Sequence, residues 1–318
     1  MTTSAADPVW PDLPYAALKP TADTLQLWTQ MVGKVRLART PWLNHSWHVT
    51  LYVSGRGLST SLIPGPGASL ELEFDLGAHM LIVQSTDGRR RQVPLRAGAV
   101  AGFYAELMDA LAGVGAPTRI VAVPNELPEA TPFADDVSPR AYDPAMATAF
   151  WRALVQVDRV FHRFRSRFLG KCSPVHFFWG GADLAVTRFS GRRAPPHPGG
   201  VPHLPDAVTR EAYSHEVSSA GFWPGDNAQD GPCFYSYAYP EPNGFRRAKI
   251  APKGARYDER LGEFLLPYDV VRTAPDPDAA LLAFLQDAYE AAANCAGWDR
   301  AMLECDEGRL GRPRTIPT

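Results

Sequence analysis

The chain lacks most of the features that mark a compartment or a chemistry at a glance. It has four cysteines in 318 residues, Cys172, Cys233, Cys295 and Cys305, and no CxxC pair. The close spacings of zinc ribbons and thioredoxin-like redox sites are therefore missing. The formal net charge is -2, with no basic excess of the kind that marks a nucleic-acid footprint. The local run Arg89-Arg90-Arg91 follows Asp87-Gly88 and reads as a solvated hairpin turn rather than a phosphate contact. No run approaches the ~18 apolar residues of a membrane span. The opening residues MTTSAADPVWPDLPYAAL have no basic segment leading into an apolar one, so no signal peptide is expected. With that expectation goes a cytoplasmic protein whose thiols stay reduced. HExxH and GxSxG are absent, and Gly180, Gly181 and Gly191 lack phosphate-loop spacing, so no nucleotide-binding motif supports a cofactor assignment.

What is present is apolar and proline-rich. Hydrophobic residues make up 45%, ample for a buried core, and the 30 prolines concentrate in loops such as Pro64-Gly65-Pro66-Gly67 and Pro195-Pro196-His197-Pro198. Apolar and aromatic residues continue through these loops, which argues for ordered loops over a pocket rather than disorder. Leu25, Trp28, Val32 and Val35 recur at helical spacing within 21–37. Alternation predicts strands at 45–53, 58–63, 69–76, 79–85 and 91–95. A helix over 100–111 and a short strand over 119–123 come next. A Pro-rich, acidic connector spans 124–144. The longest helix is expected over 145–169, with Phe150, Leu154, Val157, Phe161, Phe164 and Phe168 as its apolar stripe and Gly170 as its stop. Strands at 175–179, 184–189, 214–219, 234–239 and 263–267 precede a last helix over 278–295, capped by Asp276 or Asp278.

The order of helix, Gly-Lys, His-led strand, more strands and helix occurs twice. Gly33-Lys34 and His48 answer Gly170-Lys171 and His176. The expected fold class is α+β, with antiparallel sheet packed by three or four helices and room for two pseudo-symmetric halves sharing one sheet. The divisions are 10–123, the connector 124–144, 145–305 and a tail 306–318. Coincidence is the competing account, because helix-then-strands is a common order.

The densest chemistry lies between Cys172 and Trp223. Arginine forks suit carboxylates and phosphates, so Arg188 and Arg192 are candidates for holding an anionic group, unless Arg188 pairs with Asp183 or Glu216. His176 and His215, with Glu216, are candidates for proton transfer, since a half-buried imidazole titrates near neutrality. Trp179, Trp223 and Tyr237 are candidate walls, and His48 a contribution from the first half. Alternation puts Tyr235, Tyr237 and Tyr239 on one face, and sends His176 and Phe178 one way, Phe177 and Trp179 the other. His48, His176 and His215 are the trio that would bind a metal if one is bound. Satisfied structural histidines are the plainer account. Cys172 comes after a helix instead of opening one, so nothing obvious activates its thiol.

The segments NHSWHVTLYVSGRGL, GKCSPVHFFWGGADLAVTRFSGR, YSHEVSSAGFWPG, FYSYAYPEP and EFLLPYD resemble those of a bacterial family known only as a domain of unknown function. The resemblance runs from about Trp10 to Leu303. It implies one full-length domain in a cytoplasmic bacterial protein, and it implies no activity, cofactor or catalytic residue.

These features favour an enzyme acting on a small planar or anionic metabolite. The alternatives are a non-catalytic protein that binds a small molecule or a partner, and a His/carboxylate metal-dependent enzyme. Neither nucleic acid nor membrane is expected as a partner. Substrate, metal and oligomeric state stay open.

Overall fold

The computed structural model describes residues 9–225 and 231–314. Helix α1 (Tyr15–Arg39) is followed by a single 3-10 turn at Asn44–Ser46 and a meander of β1 (Tyr52–Val53), β2 (Gly57–Ser59), β3 (Leu70–Asp75), β4 (Met80–Ser85) and β5 (Arg90–Pro94). β6 (Gly98–Ala99) leads into α2 (Val100–Gly113), and pairs with β7 (Pro139–Arg140) just before α3 (Pro144–Arg165). The second meander holds β8 (His176–Phe178), β9 (Asp183–Arg193), α4 (Asp206–Ala212), β10 (His215–Trp223), β11 (Cys233–Tyr239), β12 (Arg256–Asp258) and β13 (Glu263–Pro267). The helices α5 (Tyr268–Arg272), α6 (Pro277–Cys295) and α7 (Arg300–Leu303) close the chain.

This is an α+β fold with antiparallel sheets. The five-stranded sheet runs β1-β2-β3-β4-β5 and the six-stranded one β12-β13-β11-β10-β9-β8. They meet where Leu51 and Phe177 exchange backbone hydrogen bonds of 2.9 and 2.7 Å. The two meanders join edge to edge at this bridge.

Local chemistry explains most boundaries. Asp143 accepts from the Ala145 and Met146 amides and starts α3, with Pro144 in the first turn. Asp276 caps α6 in the same way. Gly88 has φ 91°, as the turn between β4 and β5 requires.

Three sequence expectations are corrected, and two elements were not foreseen. The segment 45–53 is a strand only from Tyr52, because His45 and Ser46 adopt left-handed φ of 57° and 58°. No strand forms over 119–123. Helix α3 ends at Arg165 rather than beside Gly170. Helix α4 and strand β12 carry too little periodicity to be seen in the sequence.

The six-stranded sheet has two unlike faces. One packs on α3 and α6 through Phe222, Phe234, Leu184, Val186 and Leu266, all buried, with Phe150 of α3 6.2 Å from Phe222. The other carries Asp183, Thr187, Ser219, Tyr235, Tyr237 and Glu263. Directly paired residues share a face, and the register Thr187↔Ser219↔Tyr237 and Gly221↔Tyr235 fixes this set. The loop after β9, α4 and the Asn44–Ser46 turn lie on this polar face.

A candidate acid and tyrosine site on the polar sheet face

Helix α1 supplies the first wall. Gln26, Gln30, Gly33 and Lys34 recur at i, i+4, i+7 and i+8 and therefore share one side. Gln26 donates to the Gly180 carbonyl. A Cβ on Gly33 would overlap the Trp179 indole, so glycine is what lets the ring lie on the helix. That indole donates to the Val49 carbonyl at 2.8 Å, and Lys34 lies 5.5 Å over its ring. Trp179 therefore wedges between α1 and the segment before β1.

Gln30 clamps Asn125 from both sides, donating to its carbonyl at 2.9 Å and accepting from its amide at 2.7 Å. Lys34 donates to the Asn125 side chain, which itself donates to the His203 carbonyl. So held, Glu126 adopts φ 63° and its amide donates to the Pro202 carbonyl at 2.9 Å. Its carboxylate lies against Gly180, where any side chain would collide with it. Ala182 is also left-handed, φ 57°, and turns the chain into Asp183. Two non-glycine residues in this sparsely populated region, each at or beside a carboxylate, are a local cost that the surrounding clamps impose.

Asp183 accepts from the Tyr235 hydroxyl. The Tyr235 ring lies over Gly221, where a Cβ would overlap it. It stacks on Tyr237 with centroids 6.1 Å apart and an interplanar angle of 16°. Tyr237 shares a 2.8 Å hydrogen bond with Tyr213, and Thr187 shares one of 2.8 Å with Ser219. Tyr213 in turn stacks on His197.

Surrounding protein pushes the Glu126 carboxyl up to about 7, with Asp183 adding to the shift and Lys34 opposing it. Burial raises Asp183 to about 6, against the Tyr235 hydrogen bond. Glu263 rises to about 8 through burial and then the Asp183 and Asp258 charges. Burial lowers Lys34 to about 8. Yet Glu126 is exposed, and Asp183, Tyr235, Tyr237 and Glu263 are only half-buried. These groups are crowded by protein and still touched by solvent.

The residues singled out in the sequence are scattered. Tyr237 belongs to this cluster. Trp223 ends β10, and Trp179 is a packing wedge. His176 is fully buried among Phe178 and Trp47, with neither ring nitrogen bonded, and burial followed by the Arg36 and Arg165 charges lowers it to about 3. His48 is also fully buried, accepting from the Leu43 amide at 3.2 Å. His215 bonds Ser214 and lies 6.2 Å from His45, and Glu216 pairs with Arg192 at 2.7 Å. Arg188 points to the helix side. Its guanidinium sits 3.5 Å from the Phe164 ring, 4.3 Å from Tyr289 and 5.1 Å from Phe168, and donates to the Phe164 carbonyl.

Neither proposed anion fork is therefore free to grip a ligand on the polar face. Arg188 is walled in by aromatic rings, and Arg192 also donates to the Ala296 and Gly297 carbonyls. His48, His176 and His215 form no metal trio, and no cluster of three or more His, Cys, Asp or Glu placed to hold a metal occurs among the described residues. Sequence reasoning missed Glu126, Lys34 and Glu263. The signals were a lysine inside an apolar helix stripe and the paired glycines before Asp183.

A family model covers residues 10–305. The chain belongs to the family of unknown function DUF5996. No curated protein and no solved structure matches it. No helix among the described residues is long and apolar enough to cross a membrane.

Proposed function

We propose that the polar sheet face is the active site of an enzyme that moves a proton on a small planar ligand. One observation carries this reading: left-handed Glu126 and Ala182 bring two carboxyl groups together over Gly180-Gly181. A carboxyl group near neutrality can both accept and return a proton, and perturbed groups concentrate at functional sites. In this reading Glu126 is the base. Asp183 with Tyr235 is a second proton carrier, and the Tyr235–Tyr237 stack is the wall against which a planar ligand rests. Three carboxyls against one amine favour a neutral or cationic ligand over the anionic one that the sequence suggested. The four free thiols support a reducing compartment such as the cytoplasm.

The test is a thermal-shift screen of neutral and cationic planar metabolites, followed by NMR of solvent deuterium uptake into each hit. Glu126→Gln and Asp183→Asn should keep binding and lose deuterium uptake by about 100-fold or more. Uptake unchanged in both variants overturns the reading. Hits that bind but never exchange would favour the second reading, a non-catalytic binding protein, which the hydrogen-bonded Tyr213–Tyr237 and Tyr235–Asp183 pairs also suit.

A further inference from the structure

A different cluster occupies the other end of the same face. The two clusters adjoin where Thr187 and Phe189 follow each other on one face of β9, but Asp183 is six residues from Phe189, ~20 Å at the rise of a strand, so the carboxyl groups lie apart from this second cluster. Here Lys171 comes directly after Gly170 beyond α3, and its amine meets His45 Nε2 at 2.6 Å. The other nitrogen of that ring, Nδ1, lies 2.8 Å from the Ala212 carbonyl. A carbonyl only accepts, so Nδ1 carries the hydrogen and Nε2 presents its lone pair to Lys171. The ring is held by its backbone too. His45 and Ser46 are both left-handed, and the His45 amide donates to Glu211 at 3.0 Å. Phe189 lies 4.6 Å from the imidazole.

Lys171 itself is exposed, and its amine lies 4.8 Å from the Phe189 ring and 5.4 Å from Trp47. An amine that reaches solvent, flanked by two aromatic rings and facing a fixed lone pair, has the arrangement of an activated nucleophile. We infer that Lys171 is a carbonyl-reactive amine, with His45 as its proton acceptor, for a small planar aldehyde or ketone that packs against the half-buried Trp47 ring. The Lys171 ammonium passes a proton to His45 Nε2. The freed amine attacks the carbonyl carbon, and a C–N bond forms while the C=O π pair moves to oxygen. That oxygen takes the proton back from His45. Loss of water, with release of one further proton from nitrogen, gives the neutral imine. No oxidant is needed. Burial lowers the Lys171 ammonium from its ordinary value, against the Glu211 charge, and burial also lowers His45, so the charged and titrating neighbours are His45, Glu211 and His215. This chemistry lies outside the acid and tyrosine site and does not depend on it.

The chain has five lysines, Lys19, Lys34, Lys171, Lys249 and Lys253, which makes the test internal. The full chain is incubated with benzaldehyde and sodium cyanoborohydride, and each lysine's secondary amine is followed by peptide mass spectrometry. Lys171 should be modified at least about tenfold faster than exposed Lys249 and Lys253, because a positioned proton acceptor frees its amine. Its rate should saturate at lower pH than that of N-acetyl-lysine methyl amide in the same tube. His45→Gln should remove most of the advantage, with folding checked by circular dichroism. Equal rates at Lys171, Lys249 and Lys253 in the native chain overturn the inference even if His45→Gln fails to fold. So does a folded His45→Gln protein in which Lys171 keeps its full advantage. Loss of the Glu126 and Asp183 effects would leave this result untouched, so the two readings fail separately.

Discussion

The two faces of the six-stranded sheet are made by the same strands and do opposite work. On the helix side, alternate residues of β9, β10 and β11 are Leu184, Val186, Ala220, Phe222 and Phe234, closed by α3 and α6. On the other side, the intervening residues are Asp183, Thr187, Ser219, Tyr235 and Tyr237, half-covered by loops and α4. Each face stores its constraints in its own way. The helix side is held by area, which is tolerant of detail and costly to remove. The polar side is held by clamps and by glycines that make room for particular rings and carboxyl groups.

Arg188 is the exception that sharpens this contrast. A fully buried guanidinium on the apolar side has aromatic faces and one carbonyl for company, and its Nε and Nη1 have no partner. Burial lowers it to about 10, so it remains a cation at neutral pH. The ring quadrupoles of Phe164, Phe168 and Tyr289 offset part of its desolvation. Arg188 therefore ties β9 to α3 and α6, and a ligand on the polar face cannot reach it.

The largest expected effect belongs to the helix side. Phe222→Ala should cost about 3–5 kcal/mol in urea unfolding, whereas Tyr237→Phe should cost about 1 kcal/mol for its hydrogen bond. Equal losses would erase the distinction between the faces. Next comes Gly221→Ala on the polar side, where a Cβ meets the Tyr235 ring. Overpacking should cost about 1–3 kcal/mol, and Tyr235→Ser in the same chain should recover much of it. Failure of the second change to rescue the first would mean that the ring does not lie where Gly221 admits it.

The pH dependence arises from opposite shifts on two sets of groups. Glu126, Asp183 and Glu263 hold protons more tightly folded than unfolded. The stability linked to them is full below about pH 4 and is lost as pH rises through about 6 to 8. His176 is the reverse. Its folded value is about 3 against an ordinary 6.5, so its linked stability is full above about 6.5 and is lost as pH falls toward 3. Tm should decline on both sides. Asp183→Asn should flatten the alkaline limb, and His176→Leu the acidic one. A limb unmoved by its variant would remove that group from the account. The smallest effect is at the rim. Exposed Arg192 pairs with half-buried Glu216, and Arg192→Ala should cost about 1 kcal/mol, measurable by the same unfolding series.

Much of the fold was legible in the sequence. Period-3.6 stripes found α1, α2, α3 and α6, and alternation found β3, β4, β5, β9, β11 and β13, because both patterns arise from burial on one side of a regular element. The segment 45–53 misled because its alternation is real, yet two left-handed residues interrupt it, and no periodicity reports φ. The candidate sites were less legible. His176 reads as a titrating group, but it is sealed between aromatic rings. Arg192 reads as a fork, but a neighbouring strand supplies Glu216. Glu126 lies in the Pro-rich connector, whose composition says loop and nothing about what it touches. Lys171 and His45 are 126 residues apart, and their tautomer and spacing exist only once α4 supplies the Ala212 carbonyl.

Local periodicity and composition were enough to set which stretches fold as helices and strands, which residues they bury, and the family to which they belong. Long-range pairing was needed for the rest. It joined the two meanders at Leu51 and Phe177, turned Arg188 toward the helices, and brought Glu126 to Asp183. Those outcomes depend on register and on which face of a strand meets which neighbour. A shift of one residue in pairing would send a strand's side chains to the opposite face.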